Sequence, residues 1–554
     1  MKPLLVENSM HRNAARPSTM AMTLALIAMI AVLLPVATPA GAQPEDTTHW
    51  EFDVPSLDGT ILDIDVIRTE GTPVDEPQPV ILVVSPYTLP EGDGPSSRFD
   101  DFFEATGALE QGYTYAIATM RGFGQSEGCS DWGGPGEQMD VVAAVEWAAD
   151  QEWSNGNVAL LGKSYDGWTG LMGMANQPDG LAAVISQEPV FDGYRYLYDD
   201  GIRFANSLVT PTSFMTLSPP TCAVEFYTAQ QDDRADSAFW QQRELINASK
   251  GSDVPLFLMQ GFLERNTKPD GAFAYWEGIE GPKRAWFGQF DHVRGTDAEN
   301  SPSGYAVGRA DWAEQMMIFL DAYLKEDAAA EQAWLDLPQV EVQDNQGRYR
   351  GEDAWPPADA VVRTSTINGG AYTDNGLNFG SPTGALVSFG TAPVTGDGIW
   401  SISQPLPGDR HLAGEPVLDL DLVVTAPRTN VVGNVYDIAP DGTATLVSRG
   451  ADMIRLPGLV HHRLEMYGQD WVFAEGHRIG VLISGSNAEW WVHVPTQSPV
   501  AVIEAFAELP LLDTPRTDFD AGGFETSRLR QHNSSTFTVP APVITLNETP
   551  FNVG

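Results

Sequence analysis

The sequence predicts an α/β domain on a mostly parallel sheet, followed by an antiparallel β-sandwich. Three observations carry that prediction. The chain has 554 residues, too many for one ordinary core. Before about residue 335, short apolar strands alternate with helical stretches. After Leu335 the pattern changes to period-two strands separated by Gly, Pro and Asp, with few candidate helices.

In chain order, the first half offers strands at "PVILVVSPY" (79–87) and "YTYAIATM" (113–120), then a helix at "EQMDVVAAVEWAAD" (137–150). "NVALLG", "LAAVISQEP", "DVPLFLMQG" (253–261) and "RAWFGQF" (284–290) continue the strands. This alternation implies a parallel sheet covered by helices on both faces, closed by the helix "WAEQMMIFLDAYLK" (312–325). Residues 192–250 break the rhythm with "YRYLYDDGIRFANS" and a proline-rich bend, and read as a mostly helical insertion above the carboxyl edge of the sheet. In the second half, "EPVLDLDLVVTA", "TNVVGNVYDIAPDG", "HRIGVLISGS" and "EWWVHVP" fit an antiparallel sandwich. The domains expected are therefore residues 43–335 and 336–554.

Residues 1–42 read as a removable signal segment. Arg12 and Arg16 precede an apolar run, which ends in "TPAGAQPED" with Ala40 and Ala42 at small-residue cleavage positions. Secretion is expected, with no membrane association after cleavage. The chain carries 75 acidic against 31 basic residues, a net charge of −44. That charge excludes nucleic acid and anionic membranes as partners. Only six of the basic residues are lysines, a surface suited to high salt. Cys129 and Cys222 are the two cysteines. A secreted chain permits a disulfide between them, and two unpaired thiols are the alternative. Neither has metal-ligand spacing, and no metal is expected.

"NVALLGKSYDGWTG" (157–170) places Ser164 between a buried strand and a helix start. Gly162 and Gly167 would relieve crowding in a sharp strand-to-helix turn that exposes a serine hydroxyl at the sheet edge. The usual second glycine stands two places after the serine; here Asp166 stands there and Gly167 follows. A serine nucleophile needs a base and an orienting acid. Within the first domain only His49 and His292 are available. His292 follows the last parallel strand, where active-site loops leave a sheet. Glu264 follows the strand ending at Gly261 and is the first candidate acid. Asp270 is the rival, placed for a helix start, with Asp166 a weaker candidate and Asp291 too near His292 in sequence. The Tyr165 backbone N–H and the Tyr87 hydroxyl are the candidate oxyanion donors.

Four stretches carry a resemblance: "MRGFGQSEGC" (120–129), "WAADQEWSNGNVALLGKSYDG" (147–167), "QGFLERNTKPD" (260–270) and "GPKRAWFGQFDHVRG" (281–295). Together they resemble the X-Pro dipeptidyl-peptidase and cocaine-esterase-like (CocE/NonD) family of serine hydrolases, over roughly residues 50–510. The resemblance implies an α/β-hydrolase domain with a helical cap insertion and a C-terminal jelly-roll β-sandwich. It implies Ser164 as nucleophile, His292 as base and Tyr87 as oxyanion donor. The family usually has aspartate where this chain has Glu264, which keeps Asp270 open. Members divide between exo-peptidases that release X-Pro dipeptides and esterases or acylases. "DGYRYLYDDGIR" (192–203) is similar to the secreted peptidase branch. The substrate is then a peptide or small acyl compound, and no cofactor is needed. Glu188, Asp199 and Asp200 are candidate partners for a substrate α-ammonium, with Tyr194 and Tyr198 packing on proline. A catalytically weak binding protein is the remaining alternative.

Overall fold

A computed structural model describes residues 47–88, 106–208, 215, 218–376, 397–487 and 490–551. The expected signal segment lies outside the described residues, as do residues 209–214, 216 and 217 of the insertion.

The first domain is built on a ten-stranded sheet. Its strands are β1 (Thr47–Pro55), β2 (Ile61–Thr69), β3 (Gln78–Ser85), β4 (Thr114–Thr119), β5 (Ser154–Lys163), β6 (Leu181–Gln187), β9 (Leu256–Gly261), β10 (Lys283–Gly288), β11 (Val340–Gln343) and β12 (Tyr349–Glu352), with β7 (Tyr198–Asp199) and β8 (Ile202–Arg203) forming a separate ribbon. The spatial order is β1-β2-β4-β3-β5-β6-β9-β10-β11-β12. From β4 to β11 every pairing is parallel; β1, β2 and β12 add antiparallel edges. The central strands are apolar throughout because both faces are covered. Val80, Leu82 and Val84 of β3 join one core with Val141 and Val145 of the helix Pro135–Ala149 and Trp168 and Leu171 of the helix Tyr165–Asn176. Ile81 and Val83 face the other way, into a core with Trp312 and Phe319 of the helix Trp312–Leu324. One strand thus divides its side chains between two layers by its period of two.

Residues 340–352 belong to this sheet: Val340–Gln343 pairs in parallel with β10, and Tyr349–Glu352 turns back on it. The sandwich strands begin later than the expected boundary at residue 336, with β13 at Ala360–Thr366. The physical reason is that an edge strand and a sandwich strand share the same short alternating pattern.

The sandwich has two antiparallel sheets. One has the order β20 (Gly458–Glu465), β17 (Val417–Val424), β23 (Pro499–Leu512), β16 (Arg410–Gly414), β21 (Gln469–Phe473), with β13 and β14 (Gly370–Thr373) also on β23. The other runs β15 (Gly398–Ile402), β22 (Arg478–Ser484), β18 (Thr429–Ile438), β19 (Thr443–Ile454), β24 (Phe537–Thr538). Leu418, Leu420 and Leu422 of β17 are fully buried while Asp419 and Asp421 alternate outward. The sandwich docks on the α/β domain through polar contacts. Gln289 Nε2 donates to Gln469 Oε1 (2.6 Å), and Arg350 grips Asp470 with two bonds of 2.9 and 2.7 Å.

The insertion between β6 and β9 is made of short pieces: helices Gly193–Leu197, Pro220–Ala229, Ala238–Gln241 and Leu245–Ala248 around the β7–β8 ribbon. Cys129 and Cys222 are joined by a disulfide, which ties the helix Pro220–Ala229 to the loop after β4. Among the described residues, no helix is long and apolar enough to cross a membrane.

Candidate active site

Ser164 sits between β5 and the helix Tyr165–Asn176 at φ 67°, ψ −122°. A non-glycine residue rarely adopts a positive φ, and such strain gathers at functional turns. The flanking glycines explain how the turn closes. A Cβ on Gly162 would lie 2.0 Å from the Asp166 carbonyl oxygen, and one on Gly167 would lie 2.9 Å from that of Gln187. Gly167 is therefore placed where the helix presses on β6, which accounts for its displacement from the usual spacing. The Ser164 N–H donates to Gln187 O at 2.9 Å. Tyr87, two residues beyond β3, donates its hydroxyl to Ser164 Oγ at 3.4 Å.

Tyr165 opens the helix with its backbone N–H at the positive end of the dipole. Its phenol donates to Glu137 Oε2 at 2.6 Å. Glu137 is buried and also accepts from Ser130 Oγ (2.6 Å), Asp131 N (3.0 Å), Trp132 N (3.1 Å) and Gly133 N (2.6 Å). This hub fixes the residue after Ser164 to the loop that carries the disulfide.

Glu264 and His292 leave the carboxyl ends of the neighbouring strands β9 and β10. Glu264 Oε1 lies 3.2 Å from His292 Nδ1, within ion-pair range but off a straight hydrogen-bond line. The acid is 1% exposed. Its oxygens also accept from Asn266 N (2.7 Å), Thr267 N (2.5 Å), Thr267 Oγ1 (2.5 Å) and Lys268 N (2.8 Å). Burial alone would raise its pKa; His292 and these donors outweigh burial and hold it at about 2. Burial lowers the pKa of His292 most, the Lys163 ammonium lowers it further, and Glu264 opposes both. A neutral imidazole beside a carboxylate is the state a general base requires. Gly295 N donates to Gln187 Oε1 at 2.9 Å, drawing the histidine loop toward the strand that borders Ser164. Arg265 and Asp291, next to the acid and the base, form an ion pair across the same two loops. Sequence reasoning missed that pair; the opposite charges stand 26 positions apart, with no local signal to join them.

The structure distributes the other expected residues. His49 lies on β1 and bonds Asp65, far along the sheet order from Ser164. Asp270 pairs with Arg195 (2.8 Å) and Lys268 (3.7 Å), not with His292, and the helix it was expected to start begins at Ala272. Glu188 is fully buried at φ 45°, and its carboxylate accepts the Gly261 N–H (3.0 and 3.2 Å). Burial, reinforced by Glu264, raises its pKa well above the ordinary value. It straps β6 to β9 rather than facing a ligand. Tyr194, Tyr198, Asp199 and Asp200 do come together, with Asp270 and Glu415, around a cavity of 420 Å³ between the insertion and the sandwich. Ser164 is not among its lining residues. Asp199 pairs with Lys268 at 3.0 Å, and the hydroxyls of Tyr194 and Tyr198 donate to the carbonyls of Asp233 and Gln230. Among the described residues, no group of three or more His, Cys, Asp or Glu side chains is arranged to hold a metal ion.

Comparison with known proteins bears on this geometry. A family model described as X-Pro dipeptidyl-peptidase (S15 family) matches residues 58–222 and 220–294, and one described as the X-Pro dipeptidyl-peptidase C-terminal non-catalytic domain matches 332–508. A Bacillus cereus relative assigned to the Xaa-Pro dipeptidyl-peptidases is 22% identical over 506 residues, covering 78% of this chain and 84% of that protein. The Xaa-Pro dipeptidyl-peptidase of Lacticaseibacillus casei is 25% identical over 423 residues, covering 65% of this chain and half of that longer protein. The crystal structure of a CocE/NonD family hydrolase from Staphylococcus aureus superposes with a TM-score of 0.67 at 16% identity, covering 86% of this chain and 99% of that one. The matched stretches hold the sheet from β2 onward, the Ser164 turn, the acid and histidine loops and most of the sandwich: the chain belongs to the X-Pro dipeptidyl-peptidase family of serine hydrolases, on the CocE/NonD α/β-hydrolase fold.

Proposed function

We propose that this chain is a secreted X-Pro dipeptidyl-peptidase that works through an acyl-enzyme on Ser164. The observation that carries the chemistry is the strained Ser164 turn with the Tyr87 hydroxyl 3.4 Å from Oγ, together with the pairing of His292 with the buried Glu264 on the neighbouring strand-end loops. His292 takes the Ser164 proton as Oγ attacks the scissile carbonyl. Tyr165 N–H and Tyr87 Oη receive the developing oxyanion. The imidazolium then protonates the leaving amine. Water, deprotonated by the same histidine, cleaves the acyl ester and restores Ser164. Glu264 stays ionised throughout and orients the imidazole.

Family membership and the curated relatives support a dipeptide-releasing specificity. Such an enzyme must hold a substrate α-ammonium. Of the three carboxylates considered for it, Glu188 is buried and Asp199 is paired with Lys268, while Asp200 is exposed on the wall of the acidic cavity. Asp200 is the anchor we assign.

The test compares Ala-Pro-p-nitroanilide, its N-acetylated form and p-nitrophenyl butyrate. The peptidase reading expects a large kcat/KM preference for the free-amine peptide, reduced by Asp200→Asn. Equal turnover of the acetylated peptide, or a preference for the butyrate ester, would establish the esterase or acylase reading instead. Secretion is tested by N-terminal sequencing of protein from the culture medium, which should begin at Gln43; membrane-bound protein retaining Met1 would overturn it.

A further inference from the structure

The chain does not end with the sandwich sheet. After β23 it returns to the α/β domain. Asp520 N donates to Tyr349 O (2.8 Å), Phe524 N to Gly308 O (3.0 Å), and Gln343 Nε2 to Phe524 O (2.8 Å). Thr526 then caps the helix Ser527–Ser534. Its hydroxyl donates to Gln289 O (2.5 Å), three residues before His292. Two residues on, Arg528 Nε donates to Leu263 O (3.0 Å), immediately before Glu264. Ser527 N and Arg530 Nη2 both reach Glu299 Oε1 at 2.9 Å, downstream in the histidine loop. Thr526 is fully buried and Arg528 is 7% exposed. Arg528 also lines a 30 Å³ cavity together with Glu264, Arg449 and His532. This segment lies beyond both stretches matched by the family models, which end at residues 294 and 508.

We propose that residues 526–530 are a strap that sets the Glu264–His292 geometry, with Thr526 and Arg528 as positioning residues for the hydrolytic reaction. The proposal rests on the reading of Ser164, His292 and Glu264 as the catalytic group. Its physical basis is that the two loops are clamped twice. The Arg265–Asp291 pair joins them directly at the residues beside the acid and the base. The strap joins them again through the carbonyls of Leu263 and Gln289. The Nδ1–Oε1 contact is already off line, so a small shift of either loop changes how the carboxylate holds the imidazole.

The experiment uses the full chain, with steady-state kinetics on the substrate that the three-substrate assay selects and circular dichroism to verify folding. Arg528→Met should lower kcat about tenfold or more with KM little changed, since a displacement of about 1 Å originating far from the chemistry can cost about a hundredfold in rate. Thr526→Val should do the same to a smaller extent. Arg528→Lys and Thr526→Ser, which keep a donor at each site, should recover most of the lost kcat. A kcat within about twofold of the parent in folded Arg528→Met and Thr526→Val would overturn the proposal, because it would leave less than about 0.4 kcal/mol of positioning energy. So would losses that follow the folded fraction and are not rescued by the conservative variants. Full activity in Ser164→Ala would be a different outcome, overturning the catalytic reading itself.

Discussion

Two acids follow β9 on the same loop, Glu264 fully buried and Asp270 half-buried, and they face different partners. Glu264 takes four donors from its own loop and turns one oxygen toward His292. Asp270, six positions later, sits between Arg195 and Lys268 at the wall of the acidic cavity. Both are held ionised against the cost of burial, Glu264 by His292 and local donors, Asp270 chiefly by Arg195 and Lys268. Ionisation therefore does not distinguish them; the identity of the facing cation does. A guanidinium holds its proton through the reaction, whereas an imidazole can accept one and give it back. In the proposed mechanism only the acid that faces the imidazole can orient it for proton transfer.

That contrast breaks most sharply at Ser164 and Glu264. Ser164→Ala should abolish turnover of every substrate, measured as initial rate with the folded protein. Glu264→Gln should cut kcat strongly, with a loss of about 10⁴ as the upper guide from an aspartate-to-asparagine change at the same position of a catalytic triad. Asp270→Asn should cost kcat far less, about tenfold or below (about 1.4 kcal/mol), since Asp270 faces Arg195 and Lys268 and not the imidazole. Its effect should fall mainly on KM, because the cavity wall and not the acyl-transfer centre is disturbed. A larger kcat loss in Asp270→Asn than in Glu264→Gln would reverse the assignment.

The pH profile sharpens the same comparison. The proposed mechanism needs a neutral His292, and burial with Lys163 lowers its pKa. The acid limb of kcat/KM should therefore lie below the ordinary histidine value of about 6.5. Glu264 raises the histidine pKa, so Glu264→Gln should move the residual activity's acid limb to lower pH. Asp270→Asn should leave it in place. The smallest effect on chemistry is expected from the disulfide. Replacing Cys129 and Cys222 with serine opens a link between residues 93 positions apart and should destabilise the fold by about 2–5 kcal/mol. Thermal unfolding should show this, with kcat nearly unchanged.

Much of this arrangement was legible in the residues. The apolar runs of β3 and β5 and the helical texture between them required a sheet buried on both faces. Ser164, Glu264 and His292 each follow a strand end closely, and parallel strands deliver such residues to one edge. Depth was not legible. Glu188 reads as an available carboxylate until β6 and β9 are seen to close over it. The period-two segment at 340–352 fits a sheet edge as well as a sandwich. The Arg265–Asp291 pair, and the contacts of Thr526 and Arg528 with Gln289 and Leu263, join residues with no periodic relation; only the folded chain brings them together.

The most direct measurement is the rate and position of labelling by a fluorophosphonate, read by peptide mass mapping in the parent, Glu264→Gln and Asp270→Asn proteins. A single label on Ser164 is expected, formed much more slowly in Glu264→Gln and at close to the parent rate in Asp270→Asn. A label on another residue, or equal slowing in the two acid variants, would contradict it.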